Sequence, residues 1–256
     1  MSTKARKAKT SDVPWEVARL QAIFFPVQSP REISQDWFRD LTGEKPEQTL
    51  AQQAEAVSVG PYRGAMFNLT IDLLRIVFTL HPKPDKEKPN AFATLEETPA
   101  DSCKALIALV GRWIDRNRQM PIKRIGFAGL LMQRTKDQRS GYGILKNYLP
   151  TVTFSPKCTD LLFRINRPRE LKSIKGQTLN RMSTWSLLGL AKMAQAITPV
   201  APPVTSSREL EFACALEFDV NTAQDFAGEL PHQKLKRVLN ELVEASLEIA
   251  RKGDFR

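Results

Sequence analysis

Leu210-Glu-Phe-Ala-Cys-Ala-Leu-Glu-Phe-Asp-Val220 alternates without a break. Leu210, Phe212, Cys214, Leu216, Phe218 and Val220 fall on one side of an extended chain, and Glu211, Glu217 and Asp219, with Glu209 before them, fall on the other. Side chains of a strand point to opposite faces in turn, so this period of two predicts a strand with one face in a core and one in water. Beyond it, Pro231 opens the longest helical pattern of the chain, 231–252, whose stripe is Leu235, Val238, Leu239, Leu242, Ser246 and Ile249. A strand of this kind running into a long amphipathic helix sets the question for the rest of the sequence, which is whether its strands come in adjacent runs.

Upstream, Thr-Pro-Val-Ala-Pro-Pro-Val-Thr-Ser-Ser at 198–207 is stiff and extended, and reads as a domain boundary or as a long hairpin loop. Residues 177–190 fit a strand with apolar ends or the start of a helix. Leu161, Phe163 and Ile165 alternate with Arg164 and Asn166 as a strand, and 140–148 suits a short helix. After Pro121, Ile125, Phe127 and Leu131 continue as a strand whose Gly126 and Gly129 permit close backbone approach. Thr98-Pro-Ala-Asp101 is a helix start, with a capping hydroxyl, proline in the first turn and a carboxylate at the positive end of the dipole. Cys103, Leu106, Ile107, Val110, Trp113 and Ile114 form the stripe of that helix. Strands are expected at 63–69 and 73–80, with a turn at Ile71-Asp72, followed by a proline-rich charged loop at 82–90. Residues 44–59 read as a second helical piece or a loop. A short helix at 32–41, with Trp37 as a core anchor, ends at Gly43, and the fold opens on a strand at 17–24. Residues 1–13 read as a mobile basic arm.

Strands in adjacent runs, grouped between helices and without regular strand–helix alternation, predict an α+β fold of antiparallel sheets covered by helices on one side. The strand–strand–helix order occurs in residues 14–136 and again in 137–256, which predicts two related halves.

Composition removes several classes of function. With 256 residues, 42% apolar and 26% charged, the chain has the material for a core and is not a disordered sequence. Cys103, Cys158 and Cys214 are too far apart for zinc or dithiol spacing, and their odd number argues against a disulfide framework. The first ten residues are basic but no apolar segment follows, and the longest apolar stretch, 185–197, is broken by Lys192, so neither export nor a membrane span is expected and the location expected is cytoplasmic. His81 and His232 stand beside prolines and are not paired, which excludes a histidine metal centre or triad. Gly141-Tyr142-Gly143 lacks the preceding strand and following lysine of a phosphate loop. The acids of 209–219 lie along one strand, too few directions for a cation site. No catalytic residue, metal or cofactor is expected.

Charge placement is the strongest departure from uniformity. Residues 112–181 hold sixteen Lys and Arg against four Asp and Glu, while the rest of the chain holds 22 against 24. Such segregation is the footprint of a phosphate-backbone binder. The residues expected to carry it are Arg124, Arg134, Lys136, Arg139, Arg164, Arg167, Arg169, Lys172 and Lys175, with Tyr142, Tyr148 and Phe154 close enough in sequence to offer stacking. They make one patch if the strand end at 134–139 lies beside 164–175. The expected function is non-catalytic binding of DNA or RNA through backbone contacts. The competing reading is an interaction subunit whose basic face meets an acidic protein partner, and hydrolysis of nucleic acid ranks third. Lys234, Lys236 and Arg237 at the positive end of the last helix call for compensation by a partner, or by pairing of Arg237 with Glu241.

The opening strand at 16–25, Pro121-Ile-Lys-Arg-Ile-Gly-Phe-Ala-Gly-Leu-Leu-Met132 after a helix, and Leu216-Glu-Phe-Asp-Val-Asn221 before a long C-terminal helix together resemble a sporadically distributed, uncharacterised prokaryotic family of similar length found among mobile and defence genes. Where that family reads closer to Arg-Tyr-Ile-Asn, this chain has Phe127-Ala128-Gly129-Leu130. The resemblance implies an α+β architecture and a role as an accessory or sensing component of a defence or mobile-element system.

Overall fold

The computed structural model describes residues 14–30, 37–84, 92–155, 158, 160–191, 210–224 and 228–253. Among them, ten strands form one antiparallel sheet: β1 (Glu16–Pro26), β2 (Gln48–Ala51), β3 (Glu55–Tyr62), β4 (Ala65–Asp72), β5 (Ile76–His81), β6 (Ile122–Thr135), β7 (Leu162–Asn166), β8 (Arg169–Glu170), β9 (Thr178–Ala191) and β10 (Leu210–Thr222). Across the sheet the order is β2-β3-β4-β5-β1-β6-β10-β9-β7, with β8 also paired to β9. The helices are α1 (Trp37–Thr42), α2 (Pro99–Arg116), α3 (Gln138–Tyr148) and α4 (Leu235–Lys252), the last entered through a 3-10 turn at His232–Lys234. The mixed α+β class and the antiparallel pairing are as expected from the sequence. The sheet, however, is single. β6 bonds along both edges, to β1 with Leu20 opposite Gly129 and to β10 with Phe218 opposite Gly129, and so joins the segments 14–136 and 137–256.

Register sorts the side chains onto two faces. The first carries Leu20, Ala22 and Phe24 of β1, Phe67 of β4, Ile76, Phe78 and Leu80 of β5, Ile125, Phe127 and Leu131 of β6, Trp185 of β9, and Cys214, Leu216, Phe218 and Val220 of β10, all buried. Helices meet this set. Trp113 of α2 lies 4.9 Å from Phe24 and 5.3 Å from Phe78 between ring centres, and Phe38 of α1 stacks on Phe67 at 5.3 Å. The Cys214 thiol donates to the Gly141 carbonyl of α3 at 3.3 Å, and Trp15 donates its indole N–H to the Ala250 carbonyl of α4 at 2.9 Å. Each large apolar side chain buried here contributes about 1.5–3 kcal/mol relative to exposure, so these contacts hold the sheet in place.

Two caps read from the sequence are present: the Thr98 hydroxyl accepts from Asp101 N at 3.2 Å, and Gly43 closes α1 at φ 83°. A third, not read from the sequence, is Asp137, which accepts from Ser140 N at 2.7 Å at the head of α3. Differences lie in the first hairpins. Residues 44–59 are neither helix nor plain loop but β2 and the start of β3. The strands expected at 63–69 and 73–80 are β4 and β5, and their turn is at 72–75, where Asp72 Oδ1 accepts from Leu74 N at 2.8 Å and Arg75 N at 2.9 Å. Arg63 and Gly64, both at positive φ (48° and 81°), form the β3–β4 hairpin turn. The ambiguous 177–190 is β9, bonded on both sides. The arm at 1–13, the first part of the helix expected at 32–41, most of the 82–90 loop, and 198–207 lie outside the described residues. Among the described residues, no helix is long and apolar enough to cross a membrane.

Candidate nucleic-acid interface

The opposite face of the sheet carries small and polar side chains over its middle, and a smaller apolar cluster of Phe92, Met132 and Ala213 with Leu130 and Leu188 toward the Arg134 end. One register row runs Asn166, Met182, Asp219, Ala128, Gln21, Thr79, Asn68 from β7 to β4. The next begins Asn180, Asn221, Gly126, Ile23. Three amides and a carboxylate link across these rows. Asn166 donates to Asn180 Oδ1 at 3.2 Å, Asn180 to Asn221 Oδ1 at 3.2 Å, and Asn221 to Asp219 Oδ1 at 2.8 Å. Arg164, beside this chain on β7, directs its guanidinium at the Met182 sulfur. Arg19 and Glu217 close the next row with a 3.5 Å ion pair across Leu130.

Phe25 and Arg124 are directly opposite each other on β1 and β6 at one end of this face. The Arg124 guanidinium lies 4.8 Å from the Phe25 ring centre, and its Nε donates to the Thr222 carbonyl at 3.1 Å. Burial pulls the pKa of Arg124 down and the carboxylate of Asp219 pushes it back up. A guanidinium keeps its charge in either case. A cavity of about 280 Å³ opens here, lined by Phe25, Leu74, Lys123, Arg124, Ala223 and Gln224, and Leu74 on its rim is 71% exposed.

The nine cations expected to act together are divided by the fold. Arg124 and Arg164 are on the face just described. Arg167 follows Arg164 at the sheet edge, and Lys172 and Lys175 are exposed in the β8–β9 turn. Arg134 is at the far end. Its register position on β9 is Leu188, six residues from the Met182 partner of Asn166, which is about 20 Å of strand. Lys136 and Arg139 follow Arg134 there, so the strand ends at 134–139 and 164–175 are not side by side, and the single patch is corrected on that ground. Arg134 is also engaged, with Glu16 at 3.3 Å and with the Phe92 carbonyl. Arg169 points to the helix side, where it and Arg181 share Glu248 at 3.3 and 3.5 Å. Of the rings expected to stack, Tyr148 is buried against Trp15 and Trp185 at 5.2 and 5.4 Å, whereas Tyr142 and Phe154 are half-buried and stack on each other at 5.7 Å.

Reasoning from sequence missed Phe25, Lys123, Asn180 and Asn221. Alternation in β1 puts Phe25 on the side of Arg19 and Gln21, which was the available signal. The amide chain had none, because its members are 14 and 41 residues apart in sequence. Glu241 does not pair with Arg237 but accepts from Lys172 N at 2.7 Å, Ser173 N at 3.0 Å and Ser173 Oγ at 2.8 Å, and Lys236 is answered by Asp115 of α2 at 2.6 Å. Among the described residues, no three His, Cys, Asp or Glu side chains are placed to hold a metal ion. Cys103 and Cys214 are buried thiols pushed up to about 12 by desolvation. No protein-family model matches the chain, and no curated protein matches it.

Proposed function

We propose that this protein binds nucleic acid without catalysis, across the polar face of its sheet and the adjoining β7 edge. The observation that carries the reading is a sheet face, unused by the named helix contacts, on which the amide chain runs between Lys123 and Arg124 at one end and Arg164, six residues or about 20 Å of strand away by register, at the other. Cations there neutralise phosphates and release counterions, and Lys172 and Lys175 extend the positive field past the end of the same edge. The architecture is read as two related halves. β1-α1-meander-β5-α2 is followed by β6-α3-meander-β10-α4, and in each the last strand of the meander returns beside the first. On the sequence resemblance, the role proposed is that of an accessory or sensing component of a defence or mobile-element system, working in the cytoplasm.

The competing reading is an acidic protein partner. It draws on β7 ending the sheet, with Leu162 76% exposed next to Arg164, where an acidic strand could add. A shift assay across a salt series separates the two. Affinity for an oligonucleotide should fall steeply as salt rises, and the triple variant Lys123→Glu, Arg164→Glu, Lys172→Glu should remove it. Absence of any shift at low salt rejects the nucleic-acid reading.

A further inference from the structure

We infer that the cavity beside Phe25 and Arg124 takes an unpaired base, so that the ligand is a single strand read partly through its bases. This rests on the nucleic-acid reading and narrows it. Arg124 is fixed from two sides, by the bond from its Nε to Thr222 and by the Phe25 ring beneath it. A guanidinium lying over a ring leaves its other side as a surface for a second planar group, and bases of unpaired strands stack on arginine planes as they do on aromatic rings. The cavity is shaped for this use. Phe25, Leu74 and Ala223 give it apolar walls, while Lys123 stands at the rim where a phosphate linked to the base would lie.

The chemistry of the neighbouring row points the same way. Asp219 is oriented by Asn221 at 2.8 Å, and a carboxylate in the middle of a binding face repels phosphate but accepts from the N–H groups of a base. Each amide of the chain spends one N–H on its neighbour, which leaves the second N–H of exposed Asn166 and half-buried Asn180 for a ligand. A surface evolved only for backbone contact has no use for this run of directional donors and acceptors. In a duplex the base edges are paired and the faces stacked, so only an unpaired strand offers both to the site.

Anisotropy titrations with three probes of equal phosphate number, compared at matched salt and repeated across a salt series, test the inference. The probes are a mixed-sequence single strand, a duplex of half its length, and a strand of the full length lacking its bases. The single strand should bind about ten- to a hundredfold more tightly than either other probe. Arg124→Lys keeps the charge and loses the plane, so it should remove most of that margin while the salt slope stays the same. Phe25→Leu, which keeps apolar volume and loses the ring, should act likewise. Should either variant lose the fold, Leu74→Ala on the exposed rim should still narrow the margin. Equal binding of all three probes overturns this inference and leaves the nucleic-acid reading standing, whereas binding of none of them removes that reading as well.

Discussion

Arg63 occupies the left-handed region at φ 48°, followed by Gly64 at φ 81°, and two successive positive values are what a type I′ hairpin turn demands. Left-handed backbone costs an L-residue about 1–2 kcal/mol, least for asparagine, whose side chain can bond locally. The compensation visible for Arg63 is its position 5.6 Å from the Tyr62 ring centre, an exposed contact worth about 0.5–1 kcal/mol. Arg63→Asn should therefore be neutral to stabilising by up to about 1 kcal/mol, seen as a higher urea midpoint with unchanged slope. Glu241 stores stability of another kind. Burial pushes its pKa up, but the N–H groups of Lys172 and Ser173 and the Ser173 hydroxyl outweigh burial and hold the carboxyl below its ordinary range. The unfolded chain then binds this proton more readily than the folded one. The contribution is complete above the unfolded value near about 4.3 and is lost as pH falls through the lower folded value. Glu241→Gln should cost about 1–3 kcal/mol at neutral pH and flatten the acid limb of a plot of urea midpoint against pH. Glu248, lowered first by its bond from Lys252 and opposed by burial, keeps part of the remaining limb, together with Asp72, Asp101, Asp115 and Asp137, which are also held below their ordinary range.

At the scale of elements, β6 is the strand on which both parts of the sheet depend, and Gly129 is its tightest point. A methyl group there would collide with the Phe218 ring and come within 2.9 Å of Leu20 Cδ2. Gly129→Ala should destabilise by about 1–3 kcal/mol through overpacking, measured by urea denaturation, and Ala128→Ser on the opposite face should not. That glycine was readable as a close approach because it interrupts an apolar strand. β10 was readable because its two faces differ throughout. β3 was not, because its polarity is inverted. Val57 and Val59 face outward, while the inward Gly60 is small because the Phe38 ring presses on it, 2.9 Å from where a methyl would sit. β9 was obscured by polar groups on its packed face. Ser183 is there to accept from the Trp185 indole at 3.1 Å, and Arg181 is answered by Glu248 from α4. Both partnerships need the folded neighbour before they make sense. The candidate site followed the same rule. Excess charge in 112–181 is a property of the string, but its division between faces depends on which strand end meets which. Arg164 and Arg169, five residues apart, end on opposite sides of one sheet.

For the whole molecule, the consequence is that cations close in sequence are separable in function. Arg169 lies on the helix side and is held 3.3 Å from Glu248, which also takes Arg181 and Lys252. Its worth is to the fold, as part of a charge network that ties β8 and β9 to α4. Lys123 and Arg164 make no ion pair among those found in the described residues, and both lie on the face proposed to meet nucleic acid. Association with a polyanion depends on how many phosphates are neutralised, with a slope of log affinity against log salt of about −0.7 for each phosphate of a single strand. Lys123→Gln combined with Arg164→Gln should thus weaken binding at low salt and make the salt slope shallower by about 1.4, with little change in thermal midpoint. Arg169→Gln should do the reverse, lowering the midpoint while affinity and slope stay as in the wild type. The partition is a strict one, since a backbone binder that collected charge indiscriminately would lose about the same slope from every cation removed. A salt slope that falls equally with Arg169→Gln and with Arg164→Gln would place the ligand around the edge of the sheet, reaching its helix side, and not on the polar face.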